Sequence, residues 1–148
     1  KGTKDDKKTI YELAKFCKKN KINLFLSNNI KLALKLNLCG AYISSYNKDI
    51  RLNCFQYKKK FKLLGSAHSL LEVNIKKLQK VKEIFISPIF KHKRRSPLGV
   101  HKCRYFFNDN SYEKIALGGV NFKNINLLLP TKFIGLGAID FFKKKGPK

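Results

Sequence analysis

The chain has 148 residues, 43% hydrophobic and 12% aromatic, and carries a net charge of +24 from 33 Lys plus Arg against 9 Asp plus Glu. That length predicts a single domain able to bury about 68–70% of its unfolded surface; the apolar content excludes a disordered tail, and the longest apolar runs are far too short for a membrane span. Lys supplies 29 of the basic residues and Arg only 4, which speaks for A/T-rich codon usage and a field that attracts phosphates, and against specific nucleic-acid reading, a task of the bidentate guanidinium.

Residues 4–20 place Ile10, Leu13, Ala14 and Cys17 at i, i+3, i+4 and i+7 among Lys and Glu, the pattern of an amphipathic helix that Asn20 ends. Residues 22–26 (Ile-Asn-Leu-Phe-Leu) read as a short strand, followed by the capping-type residues Ser27 and Asn28 and a second helix through Leu36. Further strands begin near residues 41, 61, 84, 114 and 133, each followed by polar or Gly residues and a helical pattern. Ser69 and Glu72 supply a capping box for the helix that carries Leu71, Ile75 and Leu78.

Strand then helix at intervals of 19 to 30 residues predicts an α/β fold with a parallel sheet, because parallel neighbours require crossovers of that size. Six such units behind an orphan helix fit a (β/α)8 TIM barrel, with residues 1–148 forming one partial domain that lacks the first strand, first helix and second strand. A doubly wound sheet would carry its Gly-rich loop in the first β/α turn, whereas here the Gly-rich turns fall in the last two units. The chain starts at Lys1 and contains no Met, so an upstream part is expected to be missing, and a leader could have gone with it. Cys17, Cys39, Cys54 and Cys103 lie 22, 15 and 49 residues apart without a Cys-x-x-Cys pair, which predicts free thiols in the cytoplasm and no zinc site.

In a barrel the reacting groups stand just past the C-terminal ends of the strands. Gly118, Gly119, Gly137 and Ala138 close the last two strands, where small residues let backbone N–H groups approach a phosphate; each pair alone also reads as turn punctuation. His68 stands beside Ser66 at the expected mouth, where an imidazole can move a proton. His92 lies within, and His101 beyond, the run of charges at residues 91–95, either a solvated loop or a cationic lid for a diphosphate.

Residues 24–33 (Leu-Phe-Leu-Ser-Asn-Asn-Ile-Lys-Leu-Ala), 64–68 (Leu-Gly-Ser-Ala-His), 86–90 (Ile-Ser-Pro-Ile-Phe), 115–120 (Ile-Ala-Leu-Gly-Gly-Val) and 135–139 (Gly-Leu-Gly-Ala-Ile) resemble, in order and spacing, the thiamine phosphate synthase/TenI family. The resemblance covers nearly the whole chain. Lys1 and Gly2 would continue an Arg-x-Lys-Gly segment ending the second strand.

The resemblance implies a synthase that joins hydroxymethylpyrimidine diphosphate to thiazole phosphate and releases diphosphate, with Mg2+ steadying the leaving group. It implies that Gly118, Gly119, Gly137 and Ala138 hold the thiazole phosphate. Ser66, Lys1, His92, Arg94 and Arg95 would face the diphosphate, and Ser66 and His68 would be catalytic. Asn28 and Asn47 stand where the family has its metal-binding aspartates, residues 92–95 replace a Thr-x-Thr-Lys stretch, and Gly137 replaces a Ser. The TenI branch implies an alternative, a metal-independent thiazole tautomerase with His68 as acid/base and no cofactor. A non-catalytic phosphate-ligand binder or basic RNA-associated protein is the third reading. The partners implied are phosphorylated small molecules, without a membrane; a homo-oligomer is compatible with all three.

Overall fold

Three helices of this chain stop in the same way, and the manner of stopping sets where the strands begin. The computed structural model describes residues 4–57, 59–91, 96–106 and 110–138. Helix α1 (Lys4–Lys19), helix α2 (Ile30–Lys35) and helix α3 (Leu70–Leu78) are each followed by a residue of positive φ: Lys21 at 55°, Asn37 at 52° and Lys80 at 57°. After α1, Lys21 N donates to Lys18 O at 3.3 Å and Ile22 N to Cys17 O at 2.8 Å; Leu38 N to Ala33 O at 2.9 Å and Val81 N to Lys76 O at 3.1 Å repeat the longer bond. This is the Schellman stop, with Lys or Asn in the left-handed place that Gly fills most easily.

The stop after α1 displaces the first strand from its expected start. Ile22 is spent in closing the helix and is exposed, so β1 covers Phe25–Ser27 and not residues 22–26. The other strands match their expected positions: β2 (Gly40–Ile43), β3 (Lys62–Ala67), β4 (Glu83–Ile86), β5 (Glu113–Leu117) and β6 (Phe133–Gly137). Helix α4 (Val100–Phe106) lies between β4 and β5. The crossovers after β2 and β5 carry 3-10 turns, Ile50–Tyr57 and Ile125–Leu128, where helical patterns were expected. The first docks through Phe55, whose ring lies 6.2 Å from that of buried Phe61.

All five pairings are parallel, and the strand order is the chain order, β1 to β6. The order never reverses, so the sheet lacks the switch point of a doubly wound fold and winds as six consecutive barrel units do. The described strands form an open arc with β1 and β6 as its edges.

Side chains alternate across the arc. Ala41, Ile43, Leu63, Ala67, Ile84, Ile86 and Ala116 are buried on one face, which Val73 and Val81 help to cover. A Cβ on Gly65 would lie 3.0 Å from Lys76 Cδ and 3.1 Å from Val81 Cγ1, which identifies that face as the helix side. The other face carries Tyr42 and Phe85, with ring centroids 6.1 Å apart, on either side of Leu64 and Ser66 of β3. The apolar face expected on α3 is turned outward instead: Leu71 and Leu78 are exposed, and Val73, Lys76 and Gln79 are buried. No helix among the described residues is long and apolar enough to cross a membrane, and the four cysteines are free thiols.

Candidate functional site

Because every strand is parallel, the segments after β1 to β6 emerge on one rim, and this rim holds the residues singled out from the sequence that the structure describes, His101 excepted. Lys1, His92, Arg94 and Arg95 lie outside the described residues. His101 is on α4 and lines a cleft of about 680 Å³ with Arg104, Lys114, Lys132 and Phe133. Lys114 and Phe133 stand at the starts of β5 and β6, so this cleft opens at the opposite end of the strands from the rim.

At the β1–β2 corner, Asn28 takes a φ of 51°, a left-handed conformation that Asn tolerates better than most residues. Its Oδ1 accepts from Ser44 N at 3.1 Å and from Asn47 Nδ2 at 3.3 Å. Its Nδ2 donates to Tyr46 OH at 3.1 Å and to Ser44 Oγ. Asn47 Oδ1 accepts from Asp49 N at 3.0 Å. The cap of α2 falls to the next residue, since Asn29 Oδ1 accepts from Leu32 N at 3.1 Å.

This corner brings Asn28 and Asn47 together, but it does not fit Mg2+. Magnesium is ordinarily held through one or two carboxylates with substrate phosphates, and here both amide oxygens already accept hydrogen bonds. The nearby carboxylate, Asp49, is gripped by Arg51 Nε and Nη2, each at 2.8 Å. The Arg51 guanidinium holds the Asp49 carboxyl below its usual range. Among the described residues no three His, Cys, Asp or Glu side chains are grouped to hold a metal.

The second cluster joins the ends of β3, β4 and β5. Ser69 caps α3, its Oγ accepting from Glu72 N at 3.2 Å, while Glu72 Oε2 accepts from His68 N at 2.6 Å. The capping box thus closes on the residue before the cap and fixes the His68 backbone. The half-buried ring turns Nδ1 to Ser87 O at 2.7 Å. A carbonyl only accepts, so Nδ1 carries the hydrogen, and Nε2 is the accepting nitrogen of the neutral imidazole. Ser66, on the same strand end, is buried.

Gly118 and Gly119 follow β5 at φ 86° and 73°. A Cβ on Gly118 would lie 2.9 Å from Pro88 Cα, and one on Gly119 would lie 2.8 Å from both Phe90 O and Lys91 O. Ile89 N donates to Leu117 O at 3.0 Å and Phe90 N to Gly118 O at 3.1 Å. The pair is therefore required for close docking of the β4 loop as well as for its turn. Gly137 pairs in register with Leu117, and buried Ala138 follows it, so the two Gly-containing turns are neighbours on the rim.

Sequence reasoning missed Lys76 and Gln79. Lys76 on α3 and Gln79 at its C-cap are both buried and bonded to the loop after β2. Their polarity marks them for an outer face; only their i, i+3 phase with Val73 hints otherwise.

The family model of thiamine monophosphate synthase matches residues 1–139. The structure is similar to thiamine phosphate pyrophosphorylase from Pyrococcus furiosus, with a TM-score of 0.68 at 17% identity over 88% of this chain and 66% of that one. It is also similar to the native KDPGal structure (TM-score 0.66, 11% identity, 94% of this chain and 66% of that one). A designed, cube-shaped protein cage fused from symmetric oligomeric domains gives 0.66 at 10% identity, over 91% of this chain and 49% of the other. The chain thus spans about two thirds or less of the length of each, and at these identities the likeness concerns the fold. Among curated proteins, none matches the chain.

Proposed function

The chain belongs to the thiamine monophosphate synthase family, and on that premise we propose that it serves thiamine biosynthesis as a synthase-like enzyme in the cytoplasm, joining hydroxymethylpyrimidine diphosphate to thiazole phosphate. In this reaction the thiazole ring nitrogen forms a bond to the pyrimidine methylene carbon as the carbon–oxygen bond to diphosphate breaks. The observation that carries the reading is the shared rim, where His68 is hydrogen-bonded to Ser87, Gly118 packs closely against Ser87 and Pro88, and Ala138 follows the neighbouring strand end.

The work proposed for these residues is positioning and charge management. Backbone N–H groups at Gly118, Gly119, Gly137 and Ala138 would receive the thiazole phosphate. Ser66 would face the diphosphate, with Lys1, His92, Arg94 and Arg95 as its cations. Mg2+ is the family's expected cofactor, but the asparagine corner does not suit it.

The fixed His68 ring favours a second reading. With Nδ1 held by Ser87 O, Nε2 is free in role to take and return a proton on a thiazole ring, which is tautomerase chemistry without a metal.

The test is to measure thiamine phosphate formation and thiazole isomerisation by the full chain and by His68→Ala. The synthase reading expects coupling in the wild type. No coupling with or without Mg2+ overturns it. The tautomerase reading expects isomerisation that falls about 100- to 10,000-fold in His68→Ala; equal rates overturn it.

A further inference from the structure

The loop after β2 is held from behind by a buried cation. Lys76 is 0% exposed, and its Nζ donates to Asn47 O at 2.8 Å and to Gln79 Oε1 at 3.0 Å. Gln79 Nε2 donates to the same Asn47 O at 3.0 Å and to Asp49 O at 3.1 Å. The backbone carbonyl of Asn47 is thus occupied twice from α3, while its side chain is committed to Asn28 and to Asp49 N.

We infer that Lys76 stands in this chain as a built-in positive charge at the β1–β2 corner, a positioning residue that sets Asn47 against Asn28 and makes the corner independent of divalent cations. Three observations converge on it. The two asparagines bring no negative charge, and their oxygens are engaged. Arg51 holds the nearby carboxylate, Asp49, in a two-point grip. The ammonium of Lys76 is bonded to the backbone carbonyl of Asn47 itself, well inside a Debye length of about 10 Å, where it repels a dication from a partly desolvated place. Elsewhere a metal could shield the phosphates of a ligand here; in this chain a buried ammonium stands behind the corner instead.

The inference rests on the family reading only in taking this corner to border the ligand, and its test reads metal binding without turnover. A chain that makes no thiamine phosphate therefore leaves the result intact. Mn2+ is titrated into the full chain, and the free-ion electron paramagnetic resonance signal is followed. The wild type is expected to show no asparagine-dependent Mn2+ binding up to about millimolar concentration, the weak end of protein affinities. Saturable binding that is lost in Asn28→Ala or Asn47→Ala overturns the inference.

The role of Lys76 is tested by adding Lys76→Met to an Asn28→Asp, Asn47→Asp double variant. Removing the ammonium should tighten Mn2+ binding at least tenfold, with Lys76→Gln as the substitute if the Met variant does not fold. A triple variant that binds no more tightly than the double overturns that role. The wild-type titration does not depend on the Lys76 variants and stands whatever they do.

Discussion

His68 Nδ1 donates to the carbonyl of Ser87 at 2.7 Å, tying the end of β3 to the end of β4 across 19 residues of chain. Ser87 then meets β5, since a Cβ on Gly118 would fall 3.0 Å from Ser87 Oγ.

That second contact makes the glycines after β5 intolerant of a side chain. Gly118→Ala and Gly119→Ala each force a residue with a Cβ into positive φ and into backbone atoms 2.8–2.9 Å away. Each should lower stability by about 1–3 kcal/mol or more. Gly135→Ala, whose Cβ would meet nothing within 4 Å, should stay within about 0.5 kcal/mol of the wild type. Urea unfolding at constant slope distinguishes them; equal midpoints for all three would refute the docking account.

Lys76 gives the chain a pH signature. Burial pushes its ammonium down from 10.5 to about 8, with Glu72 opposing the shift. Between these values the unfolded chain holds a proton that the folded chain has released, so stability rises with pH across that window; below it the cost of burying the ammonium is present in full and does not vary with pH. The rise should approach about 3 kcal/mol at most. Lys76→Met should flatten the difference between unfolding free energies at pH 7.5 and pH 10, measured against the wild type. A variant with the same pH dependence as the wild type would show that the rise has another source.

The helix stops offer a gain. Lys80 holds φ 57° after α3 and is exposed, so Lys80→Gly relieves left-handed strain of about 1–2 kcal/mol, part of which is returned as the unfolded chain becomes more flexible. A net increase of about 0.5–1 kcal/mol is expected, read as a higher urea midpoint. A fall in midpoint would mean that the side chain contributes more than its backbone costs.

The strand positions were legible because apolar runs broken by Gly, Asn and Ser repeat at crossover spacing, and the winding sense followed from where the Gly turns fell. The rim was legible for the same reason, since position after a strand is a matter of order along the chain. The inner face of α3 was not. Helical periodicity favours Leu71, Ile75 and Leu78, but the surface facing α3 includes the bare carbonyls of Asn47 and Asp49, which call for donors, and Lys76 and Gln79 supply them. The start of β1 was missed because the sequence 22–26 is apolar enough for a strand while its first residue is needed to terminate α1. Asn29, not Asn28, caps α2 because the Asn28 amide is taken by Ser44, Tyr46 and Asn47.

Strand order that equals chain order has a consequence for assembly. Every described strand finds its hydrogen-bonding partner in the unit made just before or just after it, so loop closures stay short and each new rung can be laid on a finished one. A polypeptide of this kind can consolidate while it is still being synthesised, its growing edge advancing from amino to carboxyl end without waiting for distant sequence.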